Sequence, residues 1–174
     1  MGMRPIETLV SEEEIRARVS QMAEKIREDL DGATPLLIGV LKGCVYFLSD
    51  LSREMGGLCA MDFMAVESYE GQNSTGAVKI RMDLGTNIEG RDVLIVEDIV
   101  DTGMTLGYLV DLLEARKPRS LRVASLLFKP GSFKGPRKPD YIGFEIPNDF
   151  VVGYGMDMGE EYRNLKFIGR LASR

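Results

Sequence analysis

The chain has 174 residues, of which 44% are hydrophobic and 28% charged, and its formal net charge is −5. This length fits one well-filled domain, so we expect a single domain over residues 1–174. The acidic balance speaks against non-specific nucleic-acid binding, which needs a basic face, and no segment approaches the roughly 20 apolar residues that span a bilayer.

The N-terminal part of the chain predicts a helix without a leader before it. Residues 1–7 reach acidic side chains without an apolar stretch, so we predict no secretory signal and a cytoplasmic location. Ser11 and Glu14 have the spacing of a capping box, and Asp31 with Gly32 ends the predicted helix 11–30. Apolar residues recur between them at gaps of three or four, as on one helix face: Ile15, Val19, Met22, Ile26 and Leu30.

The next segments predict strands around a second helix. Residues 36–41 form a continuous apolar run, which is typical of a strand covered on both faces, and 44–55 read as a helix. Residues 58–68 and 77–84 predict a pair of strands. The polar, glycine-bearing segment 69–76 between them predicts a mobile hairpin loop.

The second half of the chain alternates strands with a helix. Residues 93–96 and 121–128 predict buried strands on either side of a helix at 105–115, and the Pro- and Gly-rich segment 129–139 predicts a loop. Shorter strand-like segments complete the domain: 141–146, 151–153 and one near Phe167. The β-α-β order predicts an α/β fold with a parallel β-sheet flanked by helices and right-handed crossovers.

Cysteine and histidine usage limits the chemistry. Cys44 lies in an apolar run and Cys59 near the start of a strand, so we predict two buried thiols rather than a disulfide. Two separated cysteines and no histidine cannot build a zinc site. Without histidine, a general base has to be Asp, Glu, Lys or Tyr.

The segment VLIVEDIVDTGMTL, residues 93–106, carries the strongest functional pattern. Glu97 and Asp98 stand where a buried strand is predicted to end, and ligands of open α/β sheets bind at such ends. Residues 101–105 offer backbone N–H groups, two hydroxyls and a helix N-terminus, which together can cradle a phosphate. Carboxylates beside a phosphate turn indicate a ligand with one phosphate and vicinal hydroxyls. Taken singly, however, the acids also fit a solvated strand end, and Asp101 fits a helix N-cap.

This segment resembles the phosphoribosyl-pyrophosphate (PRPP) signature of type I phosphoribosyltransferases. Further motifs between residues 36 and 165 resemble the hypoxanthine-guanine phosphoribosyltransferases: LKG at 41–43, SY at 68–69, STG at 74–76, SLLFK at 125–129, PDYIGFEIP at 139–147, FVVGYGMD at 150–157 and YRNL at 162–165. Met158 departs from the family, which usually has an aromatic residue there. The resemblance implies a phosphoribosyltransferase core with a small hood built from the terminal segments. It also implies a purine salvage enzyme: Mg²⁺-dependent transfer of 5-phosphoribosyl from PRPP to N9 of hypoxanthine or guanine gives IMP or GMP and pyrophosphate.

The resemblance assigns roles to the acids and the phosphate turn. Glu97 and Asp98 hold the ribose hydroxyls and, through them, Mg²⁺, and Asp157 binds a second Mg²⁺. The 5-phosphate and ribose are bound by the acid pair and by the turn residues Asp101, Thr102, Gly103, Met104 and Thr105. Asp101 is implied as the general base or proton relay at purine N7.

The remaining implied contacts concern pyrophosphate, purine and a closing loop. Lys42, Gly43 and Arg163 bind pyrophosphate, and the loop at Ser68 and Tyr69 closes over the reaction. The purine is bound by Ile99, Lys129, Phe150, Val151 and Asp157. Lys129 reads O6 and Phe150 stacks on the ring. The family also implies a homodimer or homotetramer, with small-molecule substrates and no nucleic-acid or membrane partner.

Other interpretations stay open at this stage. Read alone, Lys129 fits a surface lysine, Phe150 and Tyr154 fit core aromatics, and Arg163 fits a surface salt bridge. A phosphoacceptor receiver domain shares the acidic pair and the Lys-Pro motif, although its spacing differs. A non-catalytic regulator on the same fold and an adenine- or pyrimidine-specific enzyme are the other rivals. The sequence does not rank hypoxanthine, guanine and xanthine.

Overall fold

The computed structural model describes residues 6–68 and 78–171. Its elements within these ranges are β1 (Ile6–Val10), α1 (Glu12–Leu30), β2 (Leu36–Leu41), α2 (Val45–Glu54), β3 (Ala60–Ser68), β4 (Val78–Met82), β5 (Asp92–Val100), α3 (Met104–Glu114), β6 (Ser120–Phe128), β7 (Tyr141–Glu145), β8 (Val151–Val152) and β9 (Ile168–Leu171). No helix in this part of the chain is both long enough and apolar enough to cross a membrane.

The larger sheet has the strand order β4-β3-β2-β5-β6-β7. Every neighbouring pair is parallel except β3 and β4, which form an antiparallel pair at one edge. Alternate residues of each strand face opposite layers: Leu37 and Leu94 pack with α1 and α2, whereas Leu36 and Ile95 pack with α3. The predicted parallel sheet flanked by helices is confirmed, and the strands predicted at 58–68 and 77–84 form its antiparallel edge pair.

Helix α1 follows its sequence signals closely. Ser11 is the N-cap and forms both capping-box hydrogen bonds with Glu14, at 3.2 Å and 2.8 Å. Asp31 closes the helix in a left-handed conformation with φ 46°. The predicted apolar face is buried, except that Leu30 at its end is only partly buried.

Strand β5 is longer than predicted and corrects the position of the acidic pair. The sequence predicted a strand over 93–96, but β5 runs to Val100, so Glu97 and Asp98 lie inside it. Pairing with β2 ends at Val96, whereas pairing with β6 continues to Val100. Because backbone hydrogen bonds to β6 maintain the strand, polar side chains do not end it.

The terminal segments form a separate antiparallel sheet in the order β1-β9-β8. It corresponds to the hood that the resemblance implied. The residue pattern alone did not predict β1, because five residues with one buried position carry little alternation.

The cysteine prediction is confirmed in part. Both thiols are free and Cys44 is buried. Cys59 is only partly buried, so the prediction of two buried thiols was wrong for this residue. Cys59 precedes β3, where the chain enters the sheet from an exposed turn.

Candidate active site

A cavity of about 450 Å³ opens where β2 and β5 end and α3 begins. It is lined by most of the residues that the sequence singled out: Lys42, Gly43, Glu97, Asp98, Ile99, Asp101, Thr102, Gly103, Thr105, Asp157 and Arg163. A separate cavity of about 400 Å³ lies between α1, α2 and the 164–166 segment, away from these residues. The first cavity is therefore the candidate site.

Glu97 and Asp98, the acid pair, stand in the floor of this cavity. Glu97 is buried, and this burial, with the neighbouring Asp98 charge, raises its pKa well above the usual value. Burial likewise raises the pKa of Asp98 to about 6, although the Ile99 N–H, 2.9 Å from its Oδ1, opposes the shift. A buried carboxyl pair with raised pKa values favours a partner that brings positive charge or hydrogen-bond donors.

Gly43 is fixed between the acid pair and the 153–159 segment. A Cβ at Gly43 would stand 1.7 Å from Oδ2 of Asp98, so a side chain cannot be accommodated without moving that carboxylate. A Cβ at Gly155, where φ is +103°, would meet the Gly43 carbonyl oxygen at 2.0 Å. Close backbone contact thus joins three segments of chain around the cavity.

Residues 101–105, the phosphate turn, lead directly into α3. Gly103 is the N-cap with φ 79°, so the helix N-terminus and its free N–H groups face the cavity mouth. Asp101 is therefore not the N-cap that one interpretation allowed. Met104 does not line the cavity, and its residue surface is 53% exposed.

A contact that the sequence did not reveal joins residues 129–136, the clamp loop, to the phosphate turn. Lys134 N–H donates to the Thr102 carbonyl at 2.9 Å. A Cβ at Gly103 would stand 2.3 Å from the Phe133 ring, and one at Gly135 would stand 2.7 Å from the Gly103 carbonyl oxygen. The sequence predicted this segment only as a loop, since Pro and Gly content does not indicate what a loop packs against.

Asp101 is held by two donors of the clamp loop. Lys129 Nζ lies 2.8 Å from Oδ2, and the Ser132 hydroxyl donates to Oδ1. Partial burial raises the pKa of Asp101, but the Lys129 and Ser132 hydrogen bonds outweigh this effect and hold it below its ordinary value. Lys129 is only 7% exposed, so it is not the surface lysine that one interpretation allowed.

Lys42 and Arg163, the cation pair, also line the cavity. Arg163 donates to the Gly155 carbonyl at 2.8 Å and pairs with Asp157 at 2.9 Å. Glu160, which sequence reasoning missed, contacts both cations, at 2.7 Å from Lys42 Nζ and 3.4 Å from Arg163. No spacing signal marks Glu160, because it acts across a turn rather than along a periodic face.

The remaining purine candidates lie beyond the cavity wall. Phe150 is 58% exposed and so is not a core aromatic, whereas Tyr154 is buried and donates to Asp50 at 2.6 Å. Val151 is buried in β8. A Cβ at Gly131 would lie 3.3 Å from the Asn148 side chain, so the clamp loop adjoins the segment that leads to Phe150.

The sheet order removes the receiver-domain alternative. That fold requires another strand between the acidic pair and the lysine, but β5 and β6 are adjacent and parallel, and Lys129 directly follows β6. The lysine instead reaches Asp101 at the end of β5.

Comparisons with known proteins agree with this geometry. The family model of the phosphoribosyl transferase domain matches residues 6–158. The chain belongs to the phosphoribosyltransferase family. It is 48% identical over 164 residues to a hypoxanthine-guanine phosphoribosyltransferase of Bacillus subtilis (strain 168), covering 94% of this chain and 91% of that protein.

Solved structures of similar proteins share the whole architecture. A hypoxanthine phosphoribosyltransferase from Staphylococcus aureus has a TM-score of 0.92 at 44% identity, covering 95% of this chain and 91% of that one. A hypoxanthine phosphoribosyltransferase from Trypanosoma cruzi in complex with the product IMP has a TM-score of 0.90 at 40% identity, covering 99% and 96%.

Within the part of the chain that the structure describes, the carboxylates do not by themselves form a metal-binding cluster. Among residues 6–68 and 78–171, no three Asp, Glu, Cys or His side chains lie close enough to hold a metal ion. Mg²⁺ usually takes one or two carboxylates and completes its shell with substrate oxygens and water, so the buried acid pair fits it as an oxygen donor set.

The predicted closing loop is described only at its edge. Ser68 ends β3, where its backbone pairs with Val78 of β4. Tyr69 and the predicted hairpin loop 69–76 lie outside the described residues.

Proposed function

We propose that this phosphoribosyltransferase transfers the 5-phosphoribosyl group of PRPP to N9 of hypoxanthine or guanine, giving IMP or GMP and pyrophosphate. The observation that carries the proposal is the contact of 2.8 Å between Asp101 and Lys129 beside the phosphate turn. N7 and O6 of a 6-oxopurine lie on one edge of the base. A neighbouring carboxylate and ammonium can therefore accept the N7 proton and donate to O6 together.

The acid pair and the phosphate turn fix the ribose phosphate in this proposal. Carboxylates of Glu97 and Asp98 accept hydrogen bonds from the ribose hydroxyls, and their negative charge favours the positive charge that develops at C1. The N–H groups at the start of α3 and the Thr105 hydroxyl bind the 5-phosphate. Asp101 takes the N7 proton as N9 forms its bond to C1.

The cation pair receives the leaving group. Arg163 offers two N–H groups in the planar geometry that suits phosphate oxygens, and Lys42 adds a point charge. When bound, Mg²⁺ neutralises pyrophosphate charge; Glu97 and Asp98, through the ribose hydroxyls, and Asp157 would hold it. The family resemblance supports the assignment, as does the oxygen donor set of the acid pair.

Lys129 would decide between purines. It can donate to O6 of hypoxanthine or guanine, but it meets a donor when adenine presents its 6-amino group, and a site built on that hydrogen bond rejects the wrong base strongly. The exposed Phe150 ring is free to stack on the purine, with Ile99 and the Val151 backbone at its edge.

We extend the proposal to the protein as a whole. Residues 1–174 would act as one domain in the cytoplasm, assembled as a homodimer or homotetramer, and the loop at Ser68 and Tyr69 would close over bound substrates. These statements rest on the family resemblance. Size-exclusion chromatography with light scattering would test the assembly.

A panel of bases tests the function directly. The purified protein is incubated with PRPP, Mg²⁺ and hypoxanthine, guanine, xanthine, adenine or uracil in turn, and nucleotide and pyrophosphate are followed. Nucleotide from hypoxanthine or guanine is expected. Nucleotide only from adenine or uracil would overturn the base assignment, and binding of PRPP without turnover would favour the regulator.

A Lys129→Met variant sharpens the base assignment. It should lower kcat/KM for hypoxanthine by roughly 100-fold, because the O6 acceptor loses its charged donor. The exposed Lys117, replaced in the same way, serves as the matched control, because it lies outside the cavity near the start of β6, and it should keep normal kinetics. A K129M enzyme with unchanged selectivity would contradict the O6 assignment.

A further inference from the structure

The clamp loop carries Ser132, a half-buried serine that contacts Asp101. Ser132 donates its hydroxyl to Oδ1 of Asp101, while Lys129 occupies Oδ2. The two donors thus hold both oxygens of one carboxylate and define its orientation. We propose that Ser132 is a positioning residue for the reaction: it holds Asp101 in place through Oδ1 while Lys129 turns to the purine. This inference rests on the proposed function.

The backbone around Ser132 keeps the hydroxyl in place. Ser132 N–H donates to the Lys129 carbonyl at 3.3 Å, which closes a tight turn between the two donors. Lys129 N–H in turn donates to the Val100 carbonyl at 3.0 Å, so this turn is tied to the residue before Asp101. The Asp101 carboxylate and its hydroxyl donor are therefore parts of one hydrogen-bonded unit.

Packing of the next residue adds rigidity to this unit. The Phe133 ring lies against Gly103 and meets the Phe128 ring edge to face, with centroids 5.2 Å apart. Pro136 covers Gly107 of α3 at 3.0 Å from the position of a Cβ there. A loop anchored on both sides of Ser132 can hold a hydrogen bond without losing much side-chain entropy.

Lys129 has two partners in the proposed reaction, Asp101 and purine O6, and this leaves Ser132 a separate role. In the proposed complex Lys129 donates to O6, which weakens its hold on Asp101. The carboxylate would then be free to rotate away from N7 unless a second donor retained it. Ser132, which carries no charge and reads no base atom, is placed to be that donor. Lys129 is the charged side chain that contacts Asp101 among the described residues.

The test compares Ser132→Ala and Ser132→Thr with the wild type, using PRPP, Mg²⁺ and hypoxanthine at neutral pH. S132A should lower kcat by roughly 3- to 10-fold with little change in the KM for PRPP, because water replaces the lost donor only in part. The loss falls on kcat because Ser132 orients the carboxylate that accepts the proton and binds no part of PRPP. S132T, which keeps the hydroxyl, should restore kcat.

A matched control is available at the other end of the same strands. Ser120 donates its hydroxyl to Oδ1 of Asp92 at 2.6 Å, far from the cavity, so Ser120→Ala removes an equivalent bond without touching the site. It should keep the wild-type kcat, and circular dichroism checks that both alanine variants are folded.

Each outcome decides the proposal. An S132A enzyme with wild-type kcat would overturn it, and so would an equal change in kcat and in the KM for PRPP, or a loss of kcat without rescue by threonine. A wild-type protein that forms no nucleotide would overturn the proposed function and this inference with it, whereas wild-type activity with an unaffected S132A would overturn the inference alone.

Discussion

Replacing Asp101 with Asn separates chemistry from binding at the phosphate turn. The amide cannot accept the N7 proton, and general acid–base catalysis contributes roughly 10²–10⁴-fold, so we expect kcat with hypoxanthine to fall about 100- to 1000-fold. The N–H groups that would bind the 5-phosphate belong to the backbone at the start of α3 and are unchanged. The dissociation constant for PRPP should therefore change less than roughly threefold.

The same substitution has a stability cost that follows from the ion pair. Lys129 is 7% exposed and lies 2.8 Å from Asp101 Oδ2, so the variant leaves a buried ammonium beside a neutral amide. Losing the charged partner should lower the free energy of unfolding by about 1–3 kcal/mol. Urea denaturation at neutral pH measures this loss, and a Lys129→Met change in the D101N background should recover part of it.

Single-turnover nucleotide formation and calorimetric titration with PRPP measure the two effects separately. Asp111→Asn is the matched control, because Asp111 is exposed on α3 and outside the cavity, and it should behave as the wild type. Equal losses of kcat and PRPP affinity in D101N would show that Asp101 only supports the turn. Unchanged turnover would refute its catalytic role outright.

The remaining predictions concern three other places in the chain. Glu160→Gln removes the carboxylate that competes with pyrophosphate for the cation pair. Product-inhibition kinetics should therefore show that pyrophosphate binds roughly two- to fivefold more tightly, and weaker binding would contradict this. Gly43→Ala should lower kcat/KM for PRPP about 100-fold because the new Cβ displaces a site carboxylate, whereas Gly85→Ala, with open space around it, should not. A hydrogen bond from Arg119 lowers the pKa of Asp92 from 3.8 to about 2, so its stabilising contribution is present above pH 3.8 and lost as pH falls towards 2. When the Asp92→Asn variant is titrated with acid, its stability should not show the loss that the wild type shows in this pH range.

The elements with long apolar patterns could be predicted from the sequence nearly to the residue. The capping box at Ser11 and the apolar run of β2 depend on neighbours along the chain, and the structure confirms both. Strand β1 is too short to carry such a pattern and was missed. The end of β5 was placed too early, since its last residues are held by hydrogen bonds to β6 rather than by apolar side chains.

The residues of the candidate site also differ in whether the sequence revealed them. The acid pair and the phosphate turn are contiguous in sequence, so one segment was enough to find them. Ser132 and Glu160 act across the fold, each on a residue brought near by a loop, and nothing in their immediate sequence marks them. Phe150 had two interpretations, and only its exposure showed that it is not part of the core.

The sequence by itself determined the α/β class, the acid pair and the phosphate turn, because periodicity and turn chemistry are local and act over a few residues. The tertiary structure decided which oxygen of Asp101 each donor holds, that Glu160 contacts the cation pair, and that the clamp loop packs on Gly103. These contacts join residues far apart in the chain, and their geometry depends on how the sheet orders its strands and where the loops between them lie.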